Sequence, residues 1–303
     1  MRDLFVLFIN NLLPIFLAAG AGFLVARYLG VSTRAVSRIV FYIFSPCLIF
    51  TLLTSGQLNG DDIMQMVAYA SASILSLGVI TALIAYALRF ERRFMVALLL
   101  TVMFGNAGNF GLSLNLFAFG ESALAYASIY FVTSATLVYT LGVVLVSWGK
   151  TNLRNALIGV LKVPVIYAVI FALIFNWLNW ELPLPIDRTV SLLSDAAIPV
   201  MIVLLGIQLY NSKLSKDILA VGLSNFLRLV ASPILAIVLA TLFNLQGSAY
   251  QAGVLEAAVP TAVLTTVLAT EYNIEPAFVT TAVVTSTLLS PLTVTPLLAF
   301  LGA

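Results

Sequence analysis

Apolar runs of about 20 residues follow one another along almost the whole chain, separated by short polar or charged segments. An apolar helix needs roughly 20 residues to cross about 30 Å of hydrocarbon, so runs of this length read as membrane-spanning helices. Ten such spans are expected: Leu4 to Ala26, Val36 to Thr54, Ile63 to Leu88, Phe94 to Phe119, Ala123 to Trp148, Leu157 to Leu178, Thr189 to Leu209, Ile218 to Phe243, Ala249 to Thr270 and Ala277 to Leu301. With 62% hydrophobic and 9% charged residues, the chain lacks the polar surface of a soluble globule. The fold class expected is therefore an all-α integral membrane protein. Arg2 and the small residues Ala18 to Ala21 have some character of a cleaved signal peptide, but the apolar run continues to Ala26, beyond a typical signal length.

Positive charge sorts the connections between spans. Arg27, Arg34 and Arg38 flank the first, Arg89, Arg92 and Arg93 the third, Lys150, Arg154 and Lys162 the fifth, and Lys213 with Lys216 the seventh. The even connections hold only Arg188. By the positive-inside rule the odd connections are cytoplasmic, which puts both termini on the outer side of a plasma (inner) membrane. The ninth connection dissents, with Glu271 and Glu275 and no basic residue.

The fourth span carries FGNAGNFGL, Phe104 to Leu112, with three glycines and two asparagines inside an apolar stretch. Lipid cannot satisfy backbone groups freed by an irregular segment, so such a break survives only when it is buried in protein or lines a cavity. In transporters, discontinuous helices of this kind mark the binding site near the bilayer midplane. Gly105 and Gly108 allow the break, and Asn106 and Asn109 offer amides for capping or for a carboxylate. In the ninth span Pro260 removes a backbone donor and predicts a second break, followed by the hydroxyl of Thr261.

Landmarks recur at an offset of about 150 residues. Pro14 parallels Pro164, Pro46 parallels Pro199, Glu121 parallels Glu275, and Gly105-Asn106 lies opposite Val259-Pro260. The expected units are residues 1–153 and 154–303, five spans each. A unit with an odd number of spans inverts its successor, giving a 5+5 inverted repeat in which the broken fourth and ninth helices cross. Pro46 and Pro199, with Gly206, are expected to kink two helices that line the cavity.

Apart from Arg38 and Lys162 near span starts, three charges fall within apolar spans: Asp195, Arg228 and Glu256. Each costs about 2.5 kcal/mol or more at a helix centre, so an interior or cavity-facing position is expected for each. Glu256, one turn before Pro260, is the candidate for coupling to H⁺ or Na⁺, or it pairs with Arg228. Arg228 either counters a substrate carboxylate or locks helices together. Asp195 stands nearer a span end, where capping also accounts for it. No cofactor is expected: the chain has no His, which removes the usual Zn ligand sets and His-based triads, and the lone Cys47 excludes an internal disulfide.

The segments FGNAGNFGLSLNLFAFGESALAYA, SDAAIPVMIVLLGIQL, LEAAVPTAVLTTVLATEYNIEP and STLLSPLTVTPLL together resemble the auxin efflux carrier family, which includes bacterial organic-anion transporters. The resemblance covers essentially the whole length. It implies a bile-acid-symporter-like fold, with spans one, two, six and seven as scaffold and the others as a moving transport unit. On that template Asn106, Asn109 and Pro260 fall at crossover positions that contact substrate. The chain departs from the plant carriers in having only Gly149 to Ala156 between its halves and no carboxylate in its third span.

The expected function is a secondary transporter of a small organic anion, driven by H⁺ or Na⁺ or running as a uniporter. An organic-anion channel is the rival. An intramembrane enzyme would need a nucleophile, an aspartate dyad or metal ligands at depth, and no nucleotide-binding loop supports ATP-driven transport. The expected partners are the organic anion, the lipid bilayer and, as an assembly left open, a second copy in a homodimer. Nucleic acid is not among them.

Overall fold

The computed structural model describes residues 2–54, 58–147, 164–210, 215 and 217–303. Trp148, Lys150, Arg154, Lys162, Lys213 and Lys216, the start of the sixth span and the 153/154 boundary lie outside the described residues. Every named element is helical. We number them α1 (Asp3–Leu29), α2 (Thr33–Thr54), α3 (Gly60–Ala87), α4 (Arg92–Met103), α5 (Ala107–Val146), α6 (Pro164–Leu178), α7 (Leu184–Tyr210), α8 (Ile218–Leu242), α9 (Gly247–Ala258), α10 (Leu264–Glu271) and α11 (Pro276–Leu301). Among the described residues, seven helices (α1, α2, α3, α5, α7, α8 and α11) are long and apolar enough to cross a membrane. Large side chains such as Leu83, Leu192, Leu219 and Leu292 are exposed, as lipid-facing residues are.

Local sequence explains where helices start, widen and bend. Asn59 accepts from the Asp62 backbone N–H at 2.9 Å, while the Asp62 side chain accepts from the Asn59 N–H, a capping box that starts α3. Wide π-type turns occupy Phe8–Leu12, Val40–Phe44 and Leu227–Ala231, each just ahead of Pro14, Pro46 or Pro233. Proline has no N–H and its ring presses on the preceding turn, so the helix takes in an extra residue there. Pro46 thus widens α2 as a kinking proline does, whereas α7 runs unbroken through Pro199. In α5, Gly120 takes φ 77° and ψ −167°, a bend without strain only for glycine. It divides the 40-residue α5 where the fourth and fifth spans were expected to meet.

Helices α1, α2, α6 and α7 pack chiefly on one another. Gly22 and Gly206 bring α1 and α7 into backbone contact: a methyl on Gly206 would run into the Ala19 carbonyl, and one on Gly22 into the Val203 carbonyl. Gly206 is therefore a packing residue, and the cavity lined by its helix neighbours Leu204 and Gln208 does not include it. Small residues permit this approach where van der Waals contact, not exclusion of water, drives association. The second group, α3 to α5 and α8 to α11, is tied internally by polar bonds, including Ser224 Oγ to Thr101 Oγ1 at 2.8 Å and Asn225 Nδ2 to Thr285 Oγ1 at 2.8 Å.

The ends of the helices sort into two faces. At one, Gln65 Nε2 donates to the Phe243 carbonyl (2.8 Å) and Asn176 Nδ2 to the Leu53 carbonyl (2.8 Å), joining even connections. At the other, Arg93 pairs with Glu275 (3.7 Å) and bonds the Asn273 carbonyl, joining the third connection to the ninth. The acidic character of the ninth connection thus has a local basic partner.

Candidate crossover site

Helix α4 ends at Met103, and α9 ends at Ala258. After each, the chain is extended for a few residues, and the two extended segments meet in an antiparallel bridge between Gly105 and Thr261. The Asn106 N–H donates to the Pro260 carbonyl (2.7 Å), and the Ala262 N–H to the Phe104 carbonyl (2.9 Å). The helices resume as α5 at Ala107 and α10 at Leu264.

Each break leaves carbonyls without their intrahelical donors, and buried carbonyls must find replacements. Thr261 Oγ1 donates to the Thr101 carbonyl (2.8 Å), and Ser286 Oγ accepts from the Thr261 N–H (3.1 Å). Arg228 supplies three more donors. Its Nε bonds the Val259 carbonyl (2.7 Å), Nη1 the Val102 carbonyl (3.1 Å) and Nη2 the Ala257 carbonyl (3.0 Å). Ser232 Oγ adds a bond to Ala257 at 2.6 Å. A Cβ at position 105 would overlap the Arg228 guanidinium, so glycine is required there to admit it.

The two faces of the crossover carry opposite polarity. Two helix C-termini, α4 and α9, converge on the buried Arg228 face, where their partial negative charge meets a cation. The N-termini of α5 and α10 line a cavity of about 1090 Å³. The first N–H groups of a helix have no intrahelical acceptor and carry partial positive charge, an arrangement suited to an anion. Asn106, Asn109, Gln208, Phe131, Tyr139 and Thr266 are among the residues lining this cavity, and Arg34, Arg38 and Glu271 line it too. Asn106 Nδ2 is buried and has no hydrogen-bond partner among the described residues. Asn109 Nδ2 donates to Gln208 Oε1 on α7 at 3.3 Å, a polar contact between the two helix groups.

Of the residues singled out from sequence, Gly105, Asn106, Gly108 and Asn109 line the cavity together. Pro260 and Thr261 lie behind them, giving the crossover its backbone and hydroxyl bonds. Pro46 and Pro199, expected to line it, do not. Leu192, Asp195 and Pro199 share an exposed stripe of α7, because that helix buries Ala197, Ile198, Met201 and Leu205 on its other side. Asp195, expected in the interior or at the cavity, is therefore on the outside.

Arg228 and Glu256 are both buried, as expected, but they form no ion pair. Nor does Arg228 reach the cavity as a substrate counter-ion, since its donors are committed to carbonyls. Glu256 Oε1 accepts from Asn115 Nδ2 at 2.9 Å, while Glu256 Oε2 and Asn115 Oδ1 have no partner among the described residues. Gly111 leaves the space for this carboxyl, which a Cβ there would invade.

Sequence reasoning missed Asn115 and Gln208, both amides within apolar spans, where cost alone marks a polar residue as purposeful. It read Arg34 and Arg38 only as signals of orientation.

The family described as "Membrane transport protein" matches residues 7–156 and 150–298. An "Uncharacterized transporter" of Methanothermobacter thermautotrophicus is 30% identical, covering 84% of this chain and 84% of its own. A "Putative malonate transporter" of Rhizobium meliloti is 26% identical over 94% of this chain and 93% of its own. The "Auxin efflux carrier component 8" of Arabidopsis thaliana is 28% identical over 48% of this chain and 39% of its own length.

Proposed function

Because the chain belongs to the membrane transport protein family, we propose that it is a secondary carrier for a small organic anion, working by alternating access. The observation that carries this reading is the crossover itself: two interrupted helices bridged at Gly105 and Thr261, presenting two helix N-termini to one cavity that Asn106 lines, with its buried amide nitrogen unpartnered among the described residues. Small dicarboxylates are the first substrates to test, since the Rhizobium meliloti relative is named for malonate and aligns over nearly its full length.

In this reading the chain crosses the membrane ten times as a 5+5 inverted repeat. The short helices α4 and α9 (12 residues each) and α10 (8 residues) are too short to cross alone. Each break instead joins two half-helices into one crossing: α4 with the start of α5, and α9 with α10. The group α1, α2, α6 and α7 acts as scaffold, and the remaining helices carry the crossover past it as an elevator. The cavity mouth bears Arg34 and Arg38 of the first connection and Glu271 of the ninth. Odd connections are cytoplasmic by the positive-inside rule, so this conformation is inward-facing, in a plasma (inner) membrane.

Coupling, where present, runs through Glu256. A proton shared between Glu256 Oε2 and Asn115 Oδ1, or a Na⁺ held by them, would satisfy two buried oxygens that otherwise lack partners among the described residues. An uncoupled uniporter has the same crossover without that step.

The test is thermal unfolding of purified protein against a panel of carboxylates, with pH and Na⁺ varied. A ligand that binds only the folded state raises the unfolding temperature saturably. Stabilisation by a small carboxylate supports the reading; indifference to the whole panel removes the organic anion from it.

A further inference from the structure

Carbonyls released by broken helices in a membrane commonly coordinate a coupling ion. Here the position where such carbonyls converge is filled by a side chain. Val102 from the end of α4, and Ala257 and Val259 from the end of α9 and beyond, all point their oxygens at one guanidinium, at 2.7 to 3.1 Å. Arg228 is among the largest fully buried side chains. It comes from α8, outside both broken helices, so it staples them to a third element.

We propose that Arg228 is the built-in cation of the crossover: it occupies the place an exchangeable ion would take, so the crossover is complete without one. Any coupling ion then acts at the separate Asn115–Glu256 pair. Three features support a resident cation over a packing residue. The planar fork presents donors along three directions, and each meets a different carbonyl. Two helix C-termini aim partial negative charge at the same point. Gly105 is bare of side chain where a methyl would evict the guanidinium. Charged groups near Arg228 do not substitute for these oxygens, since Glu256 is committed to Asn115 and forms no ion pair with Arg228. Arg228 is thus a positioning residue, holding Asn106 at the cavity through the bridge without facing the cavity itself.

This inference extends the carrier reading but is tested without any substrate. Arg228→Ala leaves a guanidinium-shaped space lined by carbonyls, and millimolar guanidinium chloride is the probe. In purified protein the variant unfolds at a lower temperature than wild type. Added guanidinium raises that temperature saturably, while wild type does not respond and NaCl at the same concentration does not restore the variant. If Arg228→Ala yields folded protein only when guanidinium is present during purification, that is the same rescue. An unfolding temperature equal to wild type, failure of guanidinium to rescue the variant in either form, or equal rescue by Na⁺ would overturn the proposal. Gly105→Ala gives a second arm with Arg228 retained: it lowers the unfolding temperature, and guanidinium does not help, because the methyl fills the same space. Gly105→Ala with wild-type stability would equally contradict a guanidinium seated there. Failure in these arms would leave anion binding at the cavity untouched, and failure of every carboxylate to bind would leave this inference standing.

Discussion

Replacing Asn106 by alanine separates a ligand-facing role from a structural one. The Asn106 backbone carries the crossover: its N–H bonds the Pro260 carbonyl at 2.7 Å and its carbonyl accepts from Phe110 and Gly111. Alanine keeps all three bonds. The side-chain nitrogen, by contrast, is buried without an acceptor among the described residues, so the fold loses no hydrogen bond when it is removed and sheds an unsatisfied donor. The unfolding temperature of ligand-free Asn106→Ala should therefore equal or exceed that of wild type. In the complex the amide donates to a carboxylate, and a hydrogen bond to a charged group contributes about 1.5–3 kcal/mol. At tenfold per 1.4 kcal/mol, affinity should fall about 10- to 150-fold. Calorimetric titration with the carboxylate that best stabilises wild type reads this directly. Unchanged affinity in a folded variant would refute the assignment. A drop in stability with affinity intact would mean that the amide serves the fold.

Three further outcomes are expected. Glu256→Gln should abolish dependence on a cation gradient while leaving exchange intact, measured as uptake with and without an imposed H⁺ or Na⁺ gradient; unchanged gradient-driven uptake would put coupling elsewhere. Gly206→Ala drives a methyl into the Ala19 carbonyl and should cost about 1–3 kcal/mol of stability, as overpacking does, without altering carboxylate affinity; a wild-type unfolding temperature would deny the α1–α7 contact. Arg93→Ala removes an exposed ion pair with Glu275 worth about 0–1 kcal/mol and an exposed bond to the Asn273 carbonyl that water replaces, so its unfolding temperature should scarcely move.

What the chain reveals before folding follows from how strongly each residue type constrains a backbone in lipid. Glycine and asparagine at Gly105 to Asn109, and Pro260, are poor continuations of a membrane helix, and the interruptions lie there. Gly120 likewise marks the bend in α5. Proline alone is a weaker signal. Pro199 was expected to kink a cavity-lining helix, yet α7 is continuous and turns that residue outward. Direction around a helix depends on which neighbour packs against it, and hydropathy in a uniformly apolar span does not record that. The same limit hid the α7 amide Gln208, which meets Asn109 only through tertiary packing. Arg228 was legible as a buried charge whose partner was uncertain. Acidic Glu256 was one of the alternatives, but the carbonyls freed by two broken helices claim the guanidinium, and backbone acceptors are invisible in a list of side chains.

The most direct test of the account is counterflow in proteoliposomes: vesicles preloaded with unlabelled dicarboxylate, malonate first and then the rest of the panel, are exposed to trace labelled substrate. A carrier built on this crossover predicts transient, saturable accumulation of label above equilibrium that is sharply reduced in Asn106→Ala. Flux that rises linearly with concentration, accompanied by unitary currents and insensitive to Asn106, would contradict it.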